Sequence, residues 1–516
     1  MLQSLKKIKV FKKNVDILIT VKWENNMSKI PQIGSGNITP SQLKTLEDVK
    51  KLDDTSIWTK FDTNKDEIIT DKEILNLGFI KNAFFDVKGY LTEHFGKEKI
   101  SNPRDNDGYF AYNEDSTQIP IRILKSLDEL ELRNGCCYDV RNCDITQLNL
   151  TKEQLLNLAI DKTTVMTEEQ RAILQPFIEK TKDPGLGIRD LHKKGYTGKG
   201  VKMAIIDQPL GKHEEYSSNI IGKIHDINSE AIGNGWNTAS LHGAAVASIA
   251  VGKTVGVAPE AGLVYYSAVN FSDNSDEIKE YKTKIKKEIK RAKKEGCDYS
   301  YYKNQLDMVK RFGMTPSNQP YADAINKILD ENENLPENER VSVISISWGF
   351  NEYASGYDNL QKAVQRAKAQ GVFVVSTALE TQYGMNTCGA NRDPQGDVNS
   401  PESYEAGAFF KSESENAPKE YKDSLLLFPM DHRTIADYTD NSSYRYEGND
   451  GGMSWSTPWI AGMYVLAKQA NPDITPEVFW KYALETSNEC RNNDSGVYIG
   501  RIINPQKLIE IIETNK

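Results

Sequence analysis

Three side chains stand in an order that suits nucleophilic acyl chemistry. Ser454 lies in Gly451-Gly452-Met453-Ser454-Trp455-Ser456-Thr457-Pro458, behind small residues and ahead of the apolar stretch Ile460 to Ala467. At the start of a helix, backbone N–H groups and the helix dipole favour a developing negative charge. A serine nucleophile needs a base, and the base needs an orienting group. Of the six histidines, His242 has suitable surroundings, since small and apolar residues run from Gly243 to Gly252. Asp207 ends Val201-Lys202-Met203-Ala204-Ile205-Ile206-Asp207, where a carboxylate can hold an imidazole tautomer and stabilise its protonated form. Each residue also has a plain structural reading, as a helix cap, a core histidine or a loop-capping carboxylate. The order Asp, His, Ser on suitable elements favours the catalytic reading of all three.

Those elements follow from the apolar patterning. The run before Asp207 reads as a buried parallel strand, which puts the carboxylate at the strand end where ligands gather in open α/β sheets. The stretch after His242 predicts a buried helix stopped by Gly252. The stretch after Ser454 predicts a second buried helix, with Pro458 in its first turn. The glycines before Ser454 suggest a sharp turn and room for a substrate.

In these blocks the chain resembles the subtilisin-like serine proteases. Ala204-Ile205-Ile206-Asp207, His242-Gly243-Ala244-Ala245-Val246-Ala247, Gly256-Val257-Ala258-Pro259 and Gly452-Met453-Ser454-Trp455-Ser456-Thr457-Pro458 follow the family's order. Val343 to Gly349 resembles its substrate-lining strand, and Ile188 to Gly195 its lead-in. The resemblance implies an α/β fold, a parallel sheet flanked by helices, over residues 181–516. It implies peptide-bond hydrolysis, with Ser454 as nucleophile, His242 as general acid and base, and Asp207 orienting His242. A protein or peptide is then the substrate, and no organic cofactor is required.

Three departures bear on that implication. The family's oxyanion asparagine falls, without a gap, on Glu380, after the strand-like Val372-Phe373-Val374-Val375. An ionised carboxylate donates no hydrogen bond, so Asn386 and Asn391 become substitute candidates. Gln208-Pro209 follows the aspartate, and Trp455 stands where the family usually has methionine. The alternative reading is a weak or inactive subtilase-fold peptide-binding protein, or a calcium-responsive module on that scaffold.

A second chemical signal lies at Asp62-Thr63-Asn64-Lys65-Asp66-Glu67-Ile68-Ile69-Thr70-Asp71-Lys72-Glu73. Its spacing resembles an EF-hand loop. Asp62, Asn64 and Asp66 would offer side-chain oxygens to Ca²⁺, Ile68 a carbonyl, Thr70 an indirect contact and Glu73 a bidentate carboxylate. Glu67 takes the place where the loop prefers glycine. A weaker candidate, Pro103 to Glu114, has Pro103 at the first ligand position and reads as a polar turn.

The chain has 516 residues and a net charge of −9. With pI near 5.5 and mean hydropathy of −0.57, it reads as a soluble chain rather than a nucleic-acid binder. No apolar run reaches the ~20 residues of a membrane helix. Residues 1–27 read as a basic segment without a recognisable signal peptide, which gives a cytoplasmic expectation and leaves Met1 or Met27 as the start. Six cysteines fit reduced thiols better than a disulfide scaffold. Residues 28–98 read as a mainly helical EF-hand-like region and 99–180 as a linker or propeptide-like region, with cleavage near Thr181-Lys182-Asp183-Pro184. Within the latter, Thr151-Lys152-Glu153-Gln154 predicts a capping box, with Leu155, Leu156 and Leu158 at helical spacing. A lysine-rich insertion at about 272–319 predicts an exposed helix pair.

Overall fold

The computed structural model describes residues 121–516 apart from 131, 134–136, 229–239, 409, 450 and 451. It also describes short strands at Lys7–Lys13, Asp16–Lys22, Gln32–Ile33 and Ile68–Ile69. The chain divides into two compact units, Met1–Glu98 with Ser275–Met314, and Lys99–Asn274 with Thr315–Lys516.

In the first unit, Lys7–Lys13 and Asp16–Lys22 pair as an antiparallel hairpin. The expected helix pair forms at Ser275–Glu295 and Ser300–Phe312. Tyr281 Oη donates to Gln305 Oε1 at 2.8 Å and ties the two helices, while Lys286, Lys287, Lys290, Lys293 and Lys294 face solvent.

The second unit is built on a five-stranded sheet ordered His225–Asp226, Gly262–Ser267, Lys202–Asp207, Val341–Ile346 and Phe373–Ser376. Every pairing in it is parallel. Parallel strands buried on both faces need apolar side chains on both, which explains the near-continuous apolar runs. Met203 and Ile205 enter the core shared with the helices Leu241–Val251 and Met453–Ala470. Ala204 and Ile206 enter the opposite core, under the helices Gln319–Glu333 and Tyr357–Ala369. A second five-stranded sheet is ordered Tyr404–Ala406, Thr387–Arg392, Leu426–Pro429, Tyr498–Ile502 and Asn488–Arg491, and its edge strands are antiparallel.

Residues 121–180 add a small layer with its own core, centred on Leu124, Leu155, Leu158 and Leu174, to which Tyr446 contributes from the strand Tyr444–Glu447. The capping box forms at Thr151 and Gln154, and the helix runs Lys152–Leu156. Leu158 does not continue that helix. It belongs to the strand Leu158–Ala159, which pairs in parallel with Cys137–Asp139.

Candidate active site

Asp207 closes its strand 5 % exposed, and its Oδ1 accepts the Gln208 N–H at 2.8 Å. The histidine helix starts at an N-cap, Ser240, whose side chain accepts the Gly243 N–H. His242 is thus in the first turn, and its Nδ1 lies 2.6 Å from Asp207 Oδ1. That contact needs a close approach. A Cβ on Gly243 would lie 2.7 Å from the Gln208 carbonyl oxygen and 2.7 Å from Tyr265 Oη. Tyr265 Oη donates to that same carbonyl at 2.6 Å. Its phenol is held well above the ordinary range, first by burial and then by the Asp207 charge, so it stays a neutral donor. Gly252 ends the helix at φ −59°, not in the left-handed region. A glycine fits there because a Cβ would run into the Ser248 carbonyl oxygen and Glu215 Oε2.

Ser454 is half-buried in the first turn of the helix Met453–Ala470, whose N-cap is Gly452. A Cβ on Gly452 would meet nothing nearer than the Ser454 nitrogen at 4.0 Å, so the glycine leaves open space beside the serine. Gly452 has φ −93° and ψ 173°, an ordinary extended conformation. Pro458 falls inside the helix rather than in its first turn. Lacking an N–H, it cannot pair with the carbonyl four residues earlier, that of Ser454. Ser347 Oγ takes its place and donates to the Ser454 carbonyl at 2.8 Å. In return, Ser454 Oγ donates to the Ser347 carbonyl at 3.2 Å. Ser347 directly follows the strand Val341–Ile346. The sequence placed this strand beside the site but did not reveal this role for Ser347. The Trp455 ring lies against the His242 ring, with centroids 5.2 Å apart.

Buried charge supports the serine helix from below. Arg433, 2 % exposed, donates from Nη1 to the Trp455 carbonyl at 3.3 Å. Burial, and then the neighbouring Arg392 guanidinium, pull Arg433 down to about 9. Arg445 and Glu447 form a fully buried ion pair on the adjacent strand. His432 has φ +47°, and its ring nitrogens lie 2.7 Å from Asn391 Oδ1 and 3.0 Å from Asn157 Oδ1. Charged side chains normally read as surface, and apart from the Arg445–Glu447 pair the partners are distant in sequence, so this network gave no sequence signal.

The oxyanion candidates fall in separate places. The strand Phe373–Ser376 ends early, and Glu380 is exposed on the short helix Leu379–Tyr383. Asn386 donates from Nδ2 to Ser424 Oγ at 2.8 Å. Asn391 is the His432 partner already described. Of the residues expected to hold calcium, Asp62, Asn64, Asp66, Thr70 and Glu73 lie outside the described residues. Only Ile68 falls in a described element, the strand Ile68–Ile69 paired with Gln32–Ile33. Among the described residues no helix is long and apolar enough to cross a membrane.

Residues 198–408 match the model of the subtilase family, Peptidase_S8. The matched span includes Asp207 and His242 and ends before Ser454. The α/β fold, a parallel sheet flanked by helices, is subtilase-like, as the sequence led us to expect. Among solved structures, the chain is similar to the prenylagaramide maturation protease PagA, at 15 % identity over 63 % of this chain and 98 % of that one, with a TM-score of 0.39. It is similar to fervidolysin from Fervidobacterium pennivorans, a keratinolytic enzyme related to subtilisin, at 14 % identity over 63 % of this chain and 44 % of that one, TM-score 0.39. It is also similar to the A-subunit of the AB5 toxin from E. coli, at 12 % identity over 64 % of this chain and 98 % of that one, TM-score 0.40.

Proposed function

We propose that this protein is a serine endopeptidase that hydrolyses peptide bonds through an acyl-enzyme. The observation that carries the reading is the 2.6 Å contact between Asp207 and His242 at the carboxyl edge of a parallel sheet. Nδ1 faces the carboxylate, so Nε2 is the ring nitrogen left to take a proton. Ser454 Oγ leaves the Ser347 carbonyl, attacks the substrate carbonyl carbon and passes its proton to Nε2. His242 then protonates the departing amine. Water, deprotonated by His242, releases the acid. Asp207 holds the imidazole tautomer throughout and stabilises the imidazolium.

The Ser454 N–H, in the first turn of its helix, supplies one oxyanion donor. Glu380, when ionised, supplies none. Asn386 spends its Nδ2 on Ser424, and Asn391 meets His432 through Oδ1. Losing one donor lowers the rate by about 10²–10³, so a slow protease is expected. The competing reading is a peptide-binding protein that retains the triad. It is favoured by the Ser454 hydroxyl, which donates to Ser347 and not to His242.

Fluorophosphonate labelling decides between the two. A reactive serine gives an adduct in the native chain and none in Ser454→Ala, and Asp207→Asn slows labelling by about 10⁴. No adduct, with or without calcium, removes the protease reading. We also propose Ca²⁺ at Asp62, Asn64, Asp66, Ile68, Thr70 and Glu73, on the oxygen-rich chemistry of that donor set. Calorimetry should show calcium binding that Glu73→Gln abolishes, and heat left unchanged by that substitution would place the ion elsewhere.

A further inference from the structure

The segment from 121 to 183 occupies the position of a removable leader, yet its join to the rest of the unit is buried. Thr181 is 2 % exposed, and its carbonyl accepts the Thr434 N–H at 3.2 Å. The two threonine hydroxyls lie 2.9 Å apart, and Thr434 Oγ1 donates to the Ile178 carbonyl at 2.8 Å. The Asp183 carbonyl accepts from Arg392 Nη1 at 3.0 Å. The Pro184 carbonyl accepts from Arg392 Nη2 at 3.3 Å and from Trp459 Nε1 at 3.1 Å. Arg392 and Trp459 are fully buried. Backbone engaged by buried donors reaches a protease only after it opens, and here opening removes partners from groups that no water reaches.

Earlier in the segment, Ile160 forms an antiparallel bridge to the strand Tyr444–Glu447. Ile160 and Tyr446 exchange both backbone bonds at 3.0 Å, and Gly448 N–H donates to the Leu158 carbonyl at 3.1 Å. Tyr446 Oη donates to the Leu156 carbonyl at 2.8 Å. Asn157 packs against Gly448, six residues ahead of Ser454 in the chain. A Cβ on Gly448 would lie 2.6 Å from the Asn157 carbonyl carbon, so the two backbones touch. The Asn157 side chain meets His432 at 3.0 Å, and the His432 N–H donates to the Gly448 carbonyl at 2.9 Å. Asn157 therefore touches both Gly448 and His432, the residue that pairs with Gly448.

We infer that residues 121–183 are a permanent part of the working enzyme, and that Asn157 is a positioning residue acting on Ser454 through His432 and the adjacent Arg433, which donates to the Trp455 carbonyl. The consequence for activity rests on the protease reading. The permanence and the loop contact do not.

Intact-mass analysis of the full chain, incubated at length and then treated with fluorophosphonate, tests permanence. The adduct should sit on a species that retains residues 121–183, and an adduct confined to chains starting at or after Pro184 would overturn the inference. Limited trypsin digestion gives a readout without activity. Cleavage after Lys180 and Lys182 should wait for global unfolding in urea. Release of the segment from a body that keeps its native melting curve would overturn permanence even in a protein that never labels. For Asn157, Asn157→Ala should speed amide exchange at His432 and Gly448 but not in the helix Leu241–Val251. Kinetically it should cost about tenfold in kcat with KM unchanged, an expected loss of roughly one factor of ten in transition-state stabilisation. Asn157→Asp, which keeps the acceptor, should recover part of that loss. Lys162→Ala, which removes only the exposed Lys162–Asp440 ion pair, should do neither. Unchanged exchange at Gly448, or equal effects of Asn157→Ala and Lys162→Ala, would remove the positioning role.

Discussion

Around Asp207 and His242 the chain is packed from small apolar side chains and close backbone, whereas around Ser454 it stands on buried charge. On the first side, Ala244, Ala245, Val246 and Ala247 are fully buried, and Gly243 sits against the Gln208 carbonyl. On the second side, buried Arg433 reaches the serine helix at the Trp455 carbonyl, and Arg392, His432 and the Arg445–Glu447 pair are buried on neighbouring strands and turns. Apolar packing is non-directional and indifferent to protonation. A buried polar network is directional and costly when half-satisfied. The two halves should therefore fail in different ways.

The largest stability effect is expected where charge is most deeply buried. Arg445→Met leaves the Glu447 carboxylate without its partner inside the protein. Breaking such a pair from one side costs about 3–5 kcal/mol. The double change Arg445→Met with Glu447→Leu removes both charges and should recover most of that loss. Thermal or urea unfolding of the two variants reads the difference. If the double variant is no more stable than the single one, the charge of the pair is not what matters, and the contrast between the halves weakens.

The same contrast explains what could be read from the sequence. The strand ending at Asp207 and the helix after His242 were legible because parallel strands and buried helices demand long apolar runs, and those runs are local. The Thr151–Gln154 capping box was legible for the same reason, being closed within three residues. Pro458 was misplaced by a turn because its lost backbone bond is made good by Ser347, over a hundred residues away. Leu158 was taken into a helix on spacing alone. Its pairing with Cys137–Asp139 and its carbonyl's bond to Gly448 are tertiary. Glu380 was aligned by extending a strand that in fact stops at Ser376, and sequence register carries no sign of where a strand gives way to a turn. Arg392 and Arg433 were invisible because each acts on backbone distant in the chain, and the Arg445–Glu447 pair because two charges on alternate residues read as a solvated face.

A smaller effect is expected at the Ser347–Ser454 exchange. Ser347→Ala leaves the Ser454 carbonyl without a donor, because Pro458 offers none, and should cost about 1–3 kcal/mol. Pro458→Ala provides an N–H that can close the ordinary helical bond to the same carbonyl. In that background Ser347→Ala should cost about 1 kcal/mol less, a coupling that a double-mutant cycle measures directly. Additive losses would mean that the two residues do not serve one carbonyl, and that this turn of the serine helix is held by something else.

A pH slope is also expected in the serine half. Burial, and then the Arg392 guanidinium, lower His432 from 6.5 to about 3. The folded state therefore binds this proton less readily than the unfolded chain does. The stabilisation is complete above the unfolded value of 6.5 and is lost as pH falls toward about 3. The slope is at most about 1.4 kcal/mol per pH unit, so the loss is on the order of 1 kcal/mol at pH 5.5. His432→Gln removes the titrating group while keeping hydrogen-bonding capacity, and it should flatten the stability curve between pH 6.5 and 4 while lowering stability at neutral pH. A variant that keeps the wild-type slope would assign acid sensitivity to groups elsewhere. It would also break the claim that the buried polar network reaching the serine helix through Arg433 is sensitive to acid.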